Sequence, residues 1–164
     1  MYELKPMSKE AIPKALEKAD RYRLLGEPAE AESICIDILV ADPGNQRALR
    51  TRILALSDQF GHPKFSVGHD RCEELLSGLR DDYERTYYTG VVCERRAKAA
   101  SNVHSSSVAY EWLVDAMDWY EKAAELRPAG NDDALLRWNT CARILMNNPQ
   151  LQPRDEERAP QYLE

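Results

Sequence analysis

Residues 12–45 read IPKALEKADRYRLLGEPAEAESICIDILVADPGN. Ile12, Ala15, Ala19, Tyr22 and Leu25 recur at intervals of three and four, the spacing of one helical face. Gly26 stops that run. Glu27-Pro28 restarts it, because proline suits a first helical position, where its missing N–H is no loss. Ala31, Ile34, Cys35, Ile38 and Leu39 form the next face, ended by Asp42-Pro43-Gly44-Asn45. The stretch predicts two antiparallel helices joined by a tight turn.

The same grammar continues outward. Leu49, Ile53, Leu56 and Phe60 are broken by Gly61-His62-Pro63 and followed by Cys72, Leu75, Leu76 and Leu79, a second pair with a longer joint. A third pair starts near Asp82 with Tyr83, Tyr87, Gly90, Val91 and Ala97. It is interrupted by the serine-rich residues 101–107 and resumes as Ala109, Trp112, Leu113, Ala116, Met117, Tyr120, Ala123 and Ala124. A last helix carries Ala134, Leu135, Trp138, Cys141, Ala142 and Leu145, and a single helix there is placed to cover the end of a stack. Neither helix of a pair buries its apolar face alone, so stacked pairs are the expected solution.

Composition agrees. Of 164 residues, 37 are alanine or leucine against 13 valine or isoleucine, which favours helix. Hydrophobic residues make up 43%, enough for a core and against disorder throughout. The first ten residues have no apolar signal core, and no window reaches the ~18 apolar residues of a membrane span, so a soluble, cytoplasmic protein is expected. The net charge of -6 contains no basic block, which counts against nucleic acid. Cys35, Cys72, Cys93 and Cys141 are far apart on apolar stripes and read as small buried hydrophobes.

These marks resemble a tetratricopeptide repeat (TPR). Ala19 three before Tyr22, then Gly26, Ala31, Cys35, Ile38 and Asp42-Pro43 match the 34-residue family pattern, although Cys35 stands where an aromatic is usual. Gly90, then Ala116, Tyr120, Ala123 and Pro128, repeat the marks with an insertion of about 14 residues, and the second repeat is recognisable mainly by position. The resemblance implies an all-α, α-α superhelix of about three helix pairs plus a capping helix. A single domain at 8–146 would hold repeats at about 12–45, 46–82 and 83–130 and the cap at 131–146, between an N-terminal extension at 1–7 and a flexible tail at 147–164. It further implies a non-enzymatic scaffold or adaptor holding a protein or peptide in a concave groove.

TPR domains that clamp a chaperone's C-terminal carboxylate place cations and amides at groove positions that here hold Leu16, Asp20, Thr51, Glu84 and Tyr88, so that subtype is not expected. The implied groove positions include Glu17, Asp20, Leu54, Val91 and Glu94, and the candidate partner-binding set is Arg47, Arg50, Thr51, Tyr87, Tyr88 and Arg95. Tyrosine and arginine suit binding hot spots, and the ligand expected is an acidic or mixed peptide segment. Self-association is the alternative, with Trp119 and Trp138 taken as exposed aromatics near the C-terminal end. His62, His69, Asp70 and Cys72 share a segment, which leaves a metal-binding or enzymatic protein as a third and less favoured reading, but they lack the paired short spacings of a structural zinc site, and His104 reads as part of a capping loop. No cofactor, metal, membrane or catalytic residue is expected. The acidic positions Glu111, Asp115, Asp118, Glu121 and Glu125 read as a solvated face or one for a basic partner.

Overall fold

A computed structural model describes residues 1–62, 68–102 and 106–154, with only the backbone of His69. Among the described residues there are seven α-helices and no strand. A single 3-10 turn, Lys9–Ala11, leads into α1 (Ile12–Leu24). There follow α2 (Pro28–Ala41), α3 (Gln46–Asp58), α4 (Gly68–Ser77), α5 (Asp82–Asn102), α6 (Ser106–Leu126) and α7 (Asp133–Asn147).

Local chemistry sets the boundaries. At the end of α1 the Glu27 N–H donates to the Tyr22 carbonyl at 2.9 Å and the Gly26 N–H to the Arg23 carbonyl at 3.1 Å. Those two bonds make a Schellman turn, which needs a left-handed residue, and Gly26 supplies it at φ 79°. Pro28 opens α2. Asn45 caps α3 by accepting from the Ala48 N–H at 2.9 Å, and Asp81 caps α5 by accepting from the Glu84 N–H at 2.8 Å.

Helices pack on their neighbours in sequence: α1 on α2 and α3, α3 on α2, α4 and α5, and α6 on α5 and α7. The core is accordingly three local clusters. Ile12, Leu16, Ile38 and Ala48 form the first, and Leu49, Ile53, Leu56, Cys72, Leu75, Leu76, Leu79 and Val92 the second. The third joins Val91, Cys93, Ala97, Leu113, Ala116, Tyr120, Ala123, Ala134 and Cys141. At its centre the fully buried Tyr120 ring lies on the Gly90 backbone so closely that a Cβ there would stand 2.7 Å from Cε1.

All four cysteines are buried free thiols, with burial pushing Cys35 and Cys141 up to about 12 and Cys72 and Cys93 to about 11. Several sequence expectations need correction. The inward face of α1 runs through Leu16, and Leu25 is 70% exposed. The serine-rich stretch separates two helices but the joint is shorter than 101–107, since α5 runs through Ser101 and Asn102 and α6 begins at Ser106, while residues 103–105, His104 among them, lie outside the described residues. Trp119 and Trp138 are half-buried against the third cluster rather than fully exposed. Beyond α7, Leu151 packs on that cluster and Arg154 reaches Glu111 at 3.3 Å; residues 155–164 lie outside the description. Among the described residues no helix is long and apolar enough to cross a membrane, and no group of three or more His, Cys, Asp and Glu is placed to hold a metal ion.

Candidate protein-binding face

The odd-numbered helices are joined by a ladder of polar bonds. On α1, Asp20 and Arg23 are one turn apart; on α3, Arg47, Arg50, Thr51, Leu54 and Asp58 follow at helical spacing; on α5 the same spacing gives Glu84, Tyr87, Tyr88, Val91 and Arg95. Asp20 accepts from Arg47 Nη2 at 2.6 Å and from the Thr51 hydroxyl at 3.0 Å. Arg23 Nε donates to Asp58 at 2.6 Å, and Arg95 of α5 pairs with the same carboxylate. Arg50 Nη1 donates to both oxygens of Glu84, at 2.9 and 3.0 Å. Every rung joins one odd helix to the next.

A row of aromatics borders the ladder. Tyr83 stacks on Tyr87 with centroids 5.7 Å apart, and Tyr87 meets Tyr88 edge-on at 5.1 Å and Tyr120 at 5.9 Å. Burial holds the Tyr83 phenol up to about 12, helped by neighbouring Tyr87, and burial raises Tyr88 as well. Both stay protonated donors at neutral pH.

At the α7 end the ladder goes underground. Glu94, with its side chain 2% exposed, accepts from the Tyr120 hydroxyl at 2.7 Å and from Arg137 Nη1 at 3.2 Å. Burial works against the Arg137 charge, but Glu94 and a bond to Tyr87 outweigh it and raise its pKa. Arg95 is pushed the other way, down to about 10, first by burial and then by the neighbouring cations Arg23 and Arg137. Arg47, by contrast, is raised by its bond to Asp20.

The six residues singled out from the sequence therefore come together on α3 and α5, but not as six free ligands. Thr51 is buried with its hydroxyl on Asp20, and Arg95 is largely covered and also donates to the Leu54 carbonyl at 3.3 Å. Arg47, Arg50, Tyr87 and Tyr88 keep partial exposure. Of the wider implied groove, Leu16, Val91 and Glu94 are core, and Glu17 is exposed on α1 beside Lys14, Lys18 and Arg21. Sequence reasoning missed Arg23, Asp58, Tyr83 and Arg137. The first two lie one turn beyond Asp20 and Leu54 on stripes already traced, and that continuity was the available signal. No family model, curated protein or solved structure matches the chain.

Proposed function

We propose that the chain is a TPR-like scaffold that binds an acidic or mixed peptide segment of a partner protein across the face made by α1, α3, α5 and α7. One observation carries the reading: arginines of α3, held by bonds to α1 and α5, line up beside a row of half-exposed tyrosines packed on one another along α5. Pre-positioned side chains lose little entropy on binding, and Tyr and Arg supply area and directed donors. Arg47 and Arg50 use only part of their five-donor forks on Asp20 and Glu84, so carboxylates of a ligand can share or replace those partners. The resemblance of residues 12–45 to a TPR, the Schellman turn at Gly26 and the succession of helix pairs support the family reading. On this reading the carboxylates of the face serve to aim cations, and the protein runs no reaction.

The test is affinity capture from a lysate of the source organism with the wild type beside Arg47→Gln/Arg50→Gln, both checked by circular dichroism. The amides keep a donor for Asp20 and Glu84 while removing both charges. Enrichment of one partner is expected, with its Kd for the double variant raised at least ~10-fold, about 1.4 kcal/mol. Equal binding by both proteins would move the site elsewhere.

A further inference from the structure

Lys14, Glu17, Lys18, Arg21, Tyr22 and Leu25 form the open outer face of α1. Their spacing makes one helical stripe, ~17 Å long at 1.5 Å per residue. The stripe is basic, and it ends in apolar surface, with Leu24 85% and Leu25 70% exposed. Two adjacent leucines left in water favour a state in which they are covered. Lys18 lies 5.8 Å from the Tyr22 ring, and none of the three cations has an ion-pair partner among the described residues.

A surface of opposite character runs along α6. Glu111, Asp115, Asp118, Glu121 and Glu125 are all exposed and recur at intervals of four, three, three and four. Leu126, 51% exposed, ends that stripe as Leu24 and Leu25 end the basic one. The acidic face already attracts a guanidinium, since Arg154 pairs with Glu111 at 3.3 Å. Lys122 is turned aside, over the Trp119 ring at 4.5 Å. Asp115, Asp118, Glu121 and Glu125 have no ion-pair partner among the described residues.

The two stripes are opposite in sign and both end on exposed leucine, yet one chain does not bring them together: α1 packs on α2 and α3, and α6 on α5 and α7. We propose that the basic, leucine-edged face of α1 docks on the acidic face of α6 in a second copy of this chain. The contact joins two different surfaces, so it is heterologous and each copy retains one unused face for the next. Two helix faces of this length fall below the standard interface size, which places the association in the weak, salt-sensitive class. It uses none of the residues of the α3–α5 face.

Sedimentation velocity on the full chain tests it, at about 20 mM and about 500 mM salt, where the screening length falls several-fold. The wild type is expected to associate with rising concentration at low salt and to revert to monomer at high salt. Lys14→Glu/Lys18→Glu/Arg21→Glu and Asp115→Lys/Asp118→Lys/Glu121→Lys, each folded by circular dichroism, should be monomeric alone and associate when mixed. Arg47→Gln/Arg50→Gln should associate like the wild type. A wild-type monomer at low salt across the micromolar range, or triple variants that associate unchanged, would overturn the proposal. So would a monomer that co-sediments with phosphatidylserine vesicles through the same three cations, since that result gives the α1 face to an anionic surface.

Discussion

The seam between α1 and α3 and the seam between α5 and α7 are fastened by the same chemistry in two different media. Asp20 and Arg47 meet at 2.6 Å with side chains 40% and 45% exposed. Glu94 and Arg137 meet at 3.2 Å, but the carboxylate is 2% exposed and also holds the Tyr120 hydroxyl. An exposed pair has water as a ready alternative and contributes ~1 kcal/mol or less. A buried carboxylate has no such alternative, so removing its partners, or the carboxylate itself, leaves groups stranded in a poor dielectric. The first seam is thus suited to exchanging partners with a ligand, and the second to fixing the end of the stack.

The largest effect is expected at the buried seam. Arg137→Met leaves Glu94 without its cation at little change in volume, and should lower the unfolding free energy by about 3 kcal/mol in urea titrations. That would be a large share of the ~5–15 kcal/mol typical of a domain. A cost below about 1 kcal/mol would erase the distinction between the two seams.

Gly90→Ala probes the same region through packing. The new methyl would meet the Tyr120 ring at 2.7 Å, and that ring is buried with its hydroxyl tied to Glu94, so it has little room to retreat. Overpacking of this kind should cost about 2 kcal/mol. Adding Tyr120→Phe frees the ring to shift, so in a double-mutant cycle the double variant should cost less than the sum of the two single costs.

How much of this was legible follows from the range of each interaction. The α1–α2 hairpin could be read because its signals are local: Gly26, Pro28, Asp42 and the buried Ala19, Ala31, Cys35 and Ile38 all lie within one window. Leu16 was passed over for Ala15 because a 3.6-residue period admits both, and the packing of α1 on α3 decides between them. The serine run does separate two helices, but the break is shorter than 101–107: Ser101 and Asn102 extend α5, and α6 takes in Ser106 and Ser107, because the packing of two 21-residue helices outweighs serine's mediocre helix propensity. At the site, spacing alone placed Arg47, Arg50, Tyr87 and Tyr88 on one face. Their neighbours could not be read, because Arg23–Asp58 and Glu94–Arg137 join positions 35 and 43 residues apart and depend on how separate helices register.

The smallest effect is expected from Arg47→Ala. Asp20 keeps its bond from the Thr51 hydroxyl at 3.0 Å and is itself partly in water, so losing the guanidinium does not strand it. The change in unfolding free energy should be about 0.5 kcal/mol at low salt and should shrink further at about 0.5 M salt, where exposed charges are screened. The same variant should weaken partner binding more than it weakens the fold. That inequality is what separates a ligand-exchanging pair from a structural one, because a side chain kept for stability loses fold and binding together, whereas one held ready for a ligand loses binding first. A stability cost near that of Arg137→Met would mean that the Asp20–Arg47 rung is part of the framework, and the binding face would then have to rest on Arg50 and the tyrosines alone.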